Sequence, residues 1–386
     1  MGSSKPHDAF RIAKTPKQLQ NFARNLEVAL ERAIKNNGPY NKVSVLAFHW
    51  ANDEMQVVTL ESQLLEIFTE VYGYETESFT IPVAQSTQCL GDKLLEWSKL
   101  RRGQGTLRIY VYSGHASHAG TVDHQWFLGG RANARGDLVG PRVDWFVVKH
   151  LIEYSEGDAC YIFDCCSAGS AALYDGPEVL CASGWGQTAG SNLPFSFTQA
   201  LIDTLKDLAG ETKTLAEIFA IMYRNAYQSQ MSASPLHIAR RGNPSIALAP
   251  LTSRKGESVE PRMTRSQARD HVDHRVLISV HLQEDTPDLQ SWSRWLATNL
   301  PPVVFGVDVK IESVFRAGST LVLVTLPLEI WTMLDPRDEA FTFVAHVLSN
   351  NILPVLEGRG MPIRPPPGPT SSENMPPGQH YRKSLG

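Results

Sequence analysis

The sequence has no apolar run long enough to cross a membrane. Its longest such run, Leu321–Trp331, is about half the roughly 18 to 20 residues that a spanning helix needs, and it contains Pro327 and Glu329. The N-terminus also lacks the charged, apolar and cleavage regions of a secretory signal peptide. We therefore expect a cytoplasmic protein that is not inserted in a membrane.

Cysteine and excess charge are also scarce. The chain has five cysteines, an odd number, and Cys165 and Cys166 are adjacent, which is poor material for a secreted disulfide framework. A reducing, intracellular setting is expected. The 36 Lys and Arg residues against 40 Asp and Glu residues give a net charge of −4. Because no overall charge excess attracts nucleic acid or anionic lipid, we expect neither as a partner.

The remaining composition is that of an ordinary globular protein, with 42% hydrophobic and 20% charged residues. A length of 386 residues favours two domains plus tails. An amphipathic helix is predicted within residues 1–39. Over residues 40–250, short apolar runs alternate with helical patterns, which predicts an α/β domain with a mainly parallel central sheet and helices on both faces.

A smaller unit follows the alternating region. Residues 251–273 are rich in Ser, Arg, Glu and Pro and predict a basic, flexible linker. Residues 274–350 have the pattern of a small α+β domain with the order βαββα, which is a candidate site for a protein partner. Its predicted helical pieces are Leu289–Leu300, Leu328–Leu334 and Phe341–Leu348. Residues 351–386 are rich in proline and predict a disordered tail.

Two of the predicted parallel strands end in chemically active residues. The strand over Leu107–Tyr112 runs into Ser113, Gly114 and His115, and the strand over Cys160–Phe163 runs into an Asp-Cys-Cys-Ser-Ala-Gly segment. Ligands bind at the carboxyl ends of parallel strands, so neighbouring strands would bring an imidazole and a thiol to one sheet edge. A histidine can deprotonate a thiol near neutral pH, so this pattern predicts a Cys/His nucleophilic dyad.

These two motifs resemble the signature motifs of caspase-like cysteine peptidases. Tyr-Ser-Gly-His, which ends at His115, and Asp-Cys-Cys-Ser-Ala-Gly, which contains Cys166, are most similar to the motifs of metacaspases and fungal caspase-domain proteins of peptidase family C14. The separation of 51 residues between His115 and Cys166 agrees with the spacing of about 50 residues in caspases. The resemblance covers residues 40–250 and implies a caspase-like layered sandwich, proteolysis of protein substrates and a setting in programmed cell death.

The resemblance also implies roles for individual residues. His115 matches the general base. Cys166, rather than Cys165, matches the nucleophile because the family places an aspartate two residues ahead of it. The oxyanion site would use the backbone N–H groups of Cys166 and of the residue after the histidine. That residue is Ala116, where the family usually has glycine.

Asp164 sets the charge expected of the substrate. A carboxylate two residues before the nucleophile attracts a basic P1 side chain and repels an acidic one. Cleavage after Arg or Lys is therefore predicted, whereas caspases, which cut after aspartate, carry glutamine at this position. Ser113 matches a residue that lines the S1 pocket of metacaspases, and Asp53, after the first strand, is a further pocket candidate.

Two functions stay open on this reading. One is an active cysteine endopeptidase; the other is a catalytically weak caspase-like scaffold or regulatory module in a cell-death or immune-type pathway. Ala116 keeps the second open, and so does the lack of a match to the aspartates that bind calcium in many metacaspases. The candidate aspartates are scattered: Asp123, Asp137, Asp144 and Asp175. No paired spacing of zinc ligands is present, so neither a metal nor a cofactor is predicted.

Overall fold

The computed structural model describes two main sheets and the helices around them. The described residues are 16–34, 40–118, 125–153, 155–171, 176–183, 196–209, 211–228, 234–240, 242–251, 275–284, 309–316, 320–335, 338 and 340–353. The predicted linker, tail and Leu289–Leu300 helix lie outside them, apart from a few residues at the linker and tail boundaries. Among the helices of these described ranges, none is long and apolar enough to cross a membrane.

Strands and helices alternate along the first two thirds of the chain. The strands are β1 Lys42–Trp50, β2 Glu75–Ile81, β3 Thr106–Ser113, β4 His115–His118, β5 Trp126–Gly129, β6 Arg142–Asp144, β7 Asp158–Asp164, β8 Glu178–Cys181, β9 Lys213–Thr214, β10 Leu236–Ile238 and β11 Ala247–Leu248. The helices are α1 Leu19–Ile34, α2 Val58–Glu70, α3 Ser86–Leu100, α4 Trp145–Glu153, α5 Phe197–Asp207 and α6 Leu215–Gln228.

Six of these strands form the central sheet, in the order β10-β8-β7-β3-β1-β2. Neighbouring strands are parallel, except that β10 runs antiparallel to β8. Helices α2, α5 and α6 pack on one face of the sheet, and α3 and α4 pack on the other. The predicted fold class, with a mainly parallel sheet and helices on both faces, is confirmed.

The central strands are buried on both faces, which explains their continuous apolar runs. In β1, Val45 and Ala47 pack against one layer of helices, whereas Leu46 and Phe48 pack against the other.

Side-chain caps begin two of these helices. At α5, the Ser196 hydroxyl accepts a hydrogen bond from the Gln199 N–H at 3.2 Å. At α6, the Thr214 N–H donates to Glu217 Oε2 at 2.8 Å, and the Glu217 N–H donates to Thr214 Oγ1 at 3.2 Å. This reciprocal pair is a capping box.

The second main sheet is antiparallel and has the order β13-β14-β12-β15. Its elements are β12 Arg275–Leu282, β13 Lys310–Arg316, β14 Thr320–Pro327, β15 Phe341–Val347 and the short helix α7 Leu328–Trp331. The predicted helix over Leu328–Leu334 is confirmed as α7. The predicted helix over Phe341–Leu348 is wrong, because this segment is the strand β15. Its aromatic and β-branched residues suit a strand, and pairing with β12 overrides the local helical pattern.

Helix α1 packs against this second sheet. The Lys17 N–H, just before α1, donates to the His281 carbonyl at 3.0 Å, and the Gln283 N–H donates to the Lys17 carbonyl at 2.9 Å. The rings of Phe22 and Phe341 lie 6.5 Å apart, centre to centre. The apolar face of α1 and the inner face of the second sheet therefore belong to the same core as α2, α5 and α6.

Candidate active site

The connections that leave the carboxyl ends of β1 and β3 diverge to opposite faces of the central sheet. The chain leaves β1 towards α2 on one face of the sheet, whereas it leaves β3, through β4, β5 and β6, towards α4 on the other face. Adjacent strands whose connections diverge in this way form the usual ligand-binding crevice of an open α/β sheet. Glu54 lies in the loop after β1, and His115 is the first residue of β4.

A tight turn at Gly114 places His115 at this crevice. Gly114 has a φ of +149°, and a Cβ there would lie 2.9 Å from the Tyr112 hydroxyl oxygen. That hydroxyl donates to the His115 carbonyl at 2.8 Å. Glycine is therefore required for the chain to leave β3 and enter β4. The His115 side chain itself is 20% exposed.

The register of β3 and β7 brings the histidine and cysteine segments together. The two strands are parallel neighbours, and Ser113 pairs with Asp164. His115 and Cys166 each lie two residues beyond this pair. Their strands are therefore adjacent at the carboxyl edge of the sheet, which is the arrangement the sequence predicts.

Two hydrogen bonds connect these segments beyond the strands. The Gly114 N–H donates to the Asp164 carbonyl at 3.2 Å. Further on, the Ser170 hydroxyl and His118 Nε2 are 2.8 Å apart. One contact precedes His115 and Cys166 along the chain and the other follows them, so both segments are held against each other on either side of the two residues.

The cysteines differ in accessibility. Cys160, Cys165 and Cys181 are buried, and burial raises the pKa of each thiol, that of Cys181 to about 12. These thiols stay protonated and unreactive near neutral pH. Cys166 is only half-buried, and its backbone N–H donates to no acceptor within the described residues.

Strained backbone accompanies both sides of the crevice. Among the described residues, the non-glycine positions with positive φ are Gln56, Gln85 and Ser167. Ser167, at φ +53°, directly follows Cys166, and Gln56, at φ +58°, is two residues after Glu54. Such strain concentrates at functional sites because the surrounding structure must hold it in place.

The loop after Cys166 is anchored by Ser183. Its hydroxyl donates to the Cys165 carbonyl at 3.0 Å, and its carbonyl accepts from the Gly169 N–H at 3.0 Å. These two bonds fix the turn that contains Cys166 and Ser167.

Asp164 is a half-buried carboxylate that pairs with no cation in the described part of the chain. Its Oδ2 accepts hydrogen bonds from the Thr198 N–H at 3.0 Å and the Thr198 hydroxyl at 2.7 Å. Burial raises its pKa, although these bonds oppose the shift. Within the described ranges, no ion pair includes Asp164, and the buried Ser113 hydroxyl beside it has no hydrogen-bond partner. Successive side chains of a strand point to opposite faces of the sheet. The side chains of Ser113 and Asp164 therefore both point to the face of the central sheet that α5 covers.

The other two predicted site residues occupy defined positions. Asp53 accepts hydrogen bonds from the Met55 and Val57 N–H groups at 3.2 and 3.1 Å, so both of its oxygens bind the turn that leads into α2. Ala116 lies on β4 opposite Leu128, and only 3% of it is exposed. The roles of Asp53 in a pocket and of Ala116 in an oxyanion site stay predictions.

Glu54 is a site residue that sequence reasoning missed. Its Oε1 lies 3.3 Å from His115 Nε2. No sequence pattern marks it, because it is an exposed carboxylate next to Asp53 in an irregular loop. No three His, Cys, Asp or Glu side chains converge as metal ligands in the part of the chain that the structure describes.

Comparison with known proteins adds little at the level of sequence. No protein-family model matches the chain, and no curated protein is similar to it. Among solved structures, caspase-1 from Spodoptera frugiperda is similar with 10% identity and a TM-score of 0.39, over 55% of this chain and 95% of that chain. The Drosophila initiator caspase Dronc is similar with 13% identity and a TM-score of 0.38, over 56% and 86%. These values are too low to assign the chain to a family or an activity.

Proposed function

We propose that this protein is a cysteine endopeptidase of metacaspase-like type, in which His115 activates Cys166 and cleavage follows Arg or Lys. The adjacency of the histidine and cysteine segments at the carboxyl edge of β3 and β7 supports the proposal most directly. The burial of Cys160, Cys165 and Cys181 supports Cys166 as the nucleophile, because their thiols are hard to ionise.

In the proposed mechanism, His115, Cys166 and Ala116 account for each step of peptide-bond hydrolysis. His115 takes the proton from Cys166 Sγ, and the thiolate attacks the carbonyl carbon of the scissile peptide bond. The backbone N–H groups of Cys166 and Ala116 stabilise the oxyanion. The imidazolium of His115 then protonates the leaving amine, and a thioester forms. Water, deprotonated by His115, hydrolyses the thioester and restores the thiol.

The charge at Asp164 supports a basic P1 side chain. A half-buried carboxylate that pairs with no cation in the described residues is unfavourable, and a substrate guanidinium or ammonium would supply the missing charge. The unpartnered Ser113 hydroxyl beside it offers a further hydrogen-bond acceptor for such a group.

Peptide hydrolysis tests this proposal. The kcat/KM of the full chain is measured on matched fluorogenic peptides with Arg, Lys, Ala or Asp at P1, with Cys166→Ala as the control. We expect hydrolysis of the Arg and Lys peptides only, and none by Cys166→Ala. Equal activity in Cys166→Ala, or a preference for Asp at P1, would contradict the proposal.

A further inference from the structure

We infer that Glu54 is the positioning residue of His115, a carboxylate that holds the imidazole across the crevice between β1 and β3. This inference rests on the proposed function, because it gives the Cys166/His115 pair a third member. Glu54 lies on the β1 side of the crevice and His115 on the β3 side, so the contact spans the place where a substrate would bind.

The contact itself is between Glu54 Oε1 and His115 Nε2, at 3.3 Å. Within the described residues, Glu54 is the sole carboxylate at ion-pair distance from His115. Nε2 is buried and lacks an aligned hydrogen bond. Catalytic hydrogen bonds are commonly long or poorly aligned before substrate binds, and they tighten in the complex.

Glu54 is held by the same hairpin that carries His115. Its Oε1 accepts a hydrogen bond from the Ala132 N–H at 3.0 Å, and its Oε2 lies 3.3 Å from Arg131 Nε. These residues follow Gly129, the strand partner of His115. The Ala132 N–H, more than Arg131, lowers the pKa of Glu54, so the carboxylate is ionised at neutral pH.

A glycine makes this arrangement possible. A Cβ at Gly130 would lie 2.1 Å from Asn52 Oδ1 and 2.8 Å from Trp50 Cβ. The loop after β1 therefore approaches the hairpin more closely than any side chain at position 130 would allow. The position of Glu54 beside His115 is a product of this close packing, whereas a chance surface ion pair would not need it.

A carboxylate in contact with His115 can orient its imidazole towards Cys166. An imidazole has two ring nitrogens, and a carboxylate at Nε2 leaves Nδ1 to face the thiol of Cys166. A carboxylate beside an imidazole stabilises the cation that forms when the imidazole takes a proton from a thiol, and this cation stabilises the thiolate. Loss of the charge should therefore move ionisation of Cys166 to higher pH.

The rate of Cys166 alkylation by iodoacetamide, followed against pH by mass spectrometry, measures this effect in the full chain. The variants are Glu54→Gln, Glu54→Asp, His115→Ala and the double variant Glu54→Gln/His115→Ala. Glu70→Gln is the matched control, because Glu70 is an exposed glutamate of α2. The charged and titratable groups on the elements around His115 include Asp53, Glu54, Tyr112, His118, Arg131, Arg142, Asp144, Asp164, Cys165 and Cys166, and all but Glu54 are unchanged in Glu54→Gln.

We expect Glu54→Gln to move the pH midpoint of alkylation upward and to lower the rate at pH 6 roughly fivefold to tenfold. Glu54→Asp should restore part of the rate because it keeps the charge, and Glu70→Gln should match the parent. In the His115→Ala background, Glu54→Gln should have no further effect. In peptide hydrolysis, Glu54→Gln should lower kcat more than it raises KM.

The failures of the two proposals are distinguishable. If Cys166 of the parent reacts quickly and Glu54→Gln has the same pH profile, the role of Glu54 is wrong and the dyad stands. If Glu54→Gln slows alkylation equally with and without His115, Glu54 acts on Cys166 by another route. If Cys166 of the parent reacts no faster than Cys89, the proposed function fails, and the role of Glu54 fails with it.

Discussion

Two histidines of this protein face glutamates from the segment after β1, and their surroundings differ. His49, on β1, lies with Nδ1 3.0 and 3.1 Å from the two carboxylate oxygens of Glu61, and their side chains are 9% and 2% exposed. His115 lies 3.3 Å from Glu54, and their side chains are 20% and 39% exposed. The same two residue types thus form one pair inside the protein and one pair at a crevice.

The partners of the inner pair explain the difference. His49 Nε2 lies 3.2 Å from the Thr80 hydroxyl, and the Ser78 hydroxyl donates to Glu61 Oε1 at 2.6 Å. Both ring nitrogens of His49 are therefore occupied, and the pair contributes to stability. In the described residues, Nε2 of His115 approaches only Glu54, at 3.3 Å and without an aligned hydrogen bond, which leaves Nδ1 for chemistry. Exposure at the edge of the sheet, more than the presence of a carboxylate, separates His115 from the structural His49.

Replacing each histidine in turn should separate the two roles, and we expect the largest effect at His115. His115→Ala should lower kcat/KM about 10²-fold to 10⁴-fold, because it removes the general base. The free energy of unfolding in urea should change by less than about 0.5 kcal/mol, because the side chain is partly exposed. A large loss of stability with retained activity would reverse the roles of the two histidines.

His49→Ala should show the opposite result. Glu61 would stay buried without its imidazole partner, so the free energy of unfolding should fall by about 3 kcal/mol. The kcat/KM of the folded fraction should be that of the parent. Denaturant unfolding and hydrolysis of the Arg peptide check the two expectations, with Thr80→Val as a milder change at the same site. A stable but inactive His49→Ala variant would contradict this account.

Asp164 extends the comparison, because it is a half-buried carboxylate that no histidine faces in the described part of the chain. Asp164→Asn should lower kcat/KM on Arg peptides roughly tenfold through lost charge attraction. The thermal midpoint should stay equal or rise slightly, because a half-buried charge is removed while an oxygen still accepts from Thr198. If the variant cuts Arg and Ala peptides as the parent does, Asp164 does not contact the P1 side chain.

The smallest expected effect is on the pH dependence of stability. The hydrogen bond to Glu61 raises the pKa of His49 above its ordinary value. A raised folded-state pKa gives a stabilisation that is complete below about pH 6.5, the unfolded value, and is lost as the pH rises through the folded value. The difference in unfolding free energy between the parent and His49→Gln should therefore be larger at pH 6 than at pH 9. A constant difference would mean that the pKa of His49 is the same in the folded and unfolded states.

The sequence allowed the sheet and the two strand ends to be predicted, because buried strands have continuous apolar runs and the order of elements fixes their neighbours. Glu54 could not be predicted in the same way. Its position depends on the close approach of two loops at Gly130. No local sequence pattern predicts that approach. The strand β15 was missed for a related reason, since its partner β12 is more than fifty residues away along the chain.

The central claim is that Cys166 is the nucleophile of a peptidase with a pocket for basic side chains. An Arg-based acyloxymethyl ketone, applied to the native full chain and mapped by peptide mass spectrometry, tests it most directly. We expect one label, on Cys166, that forms more slowly in His115→Ala and is absent in Cys166→Ala, with the buried Cys160, Cys165 and Cys181 unlabelled. Absence of any label, or labelling of Cys89 at the same rate as Cys166, would contradict the account.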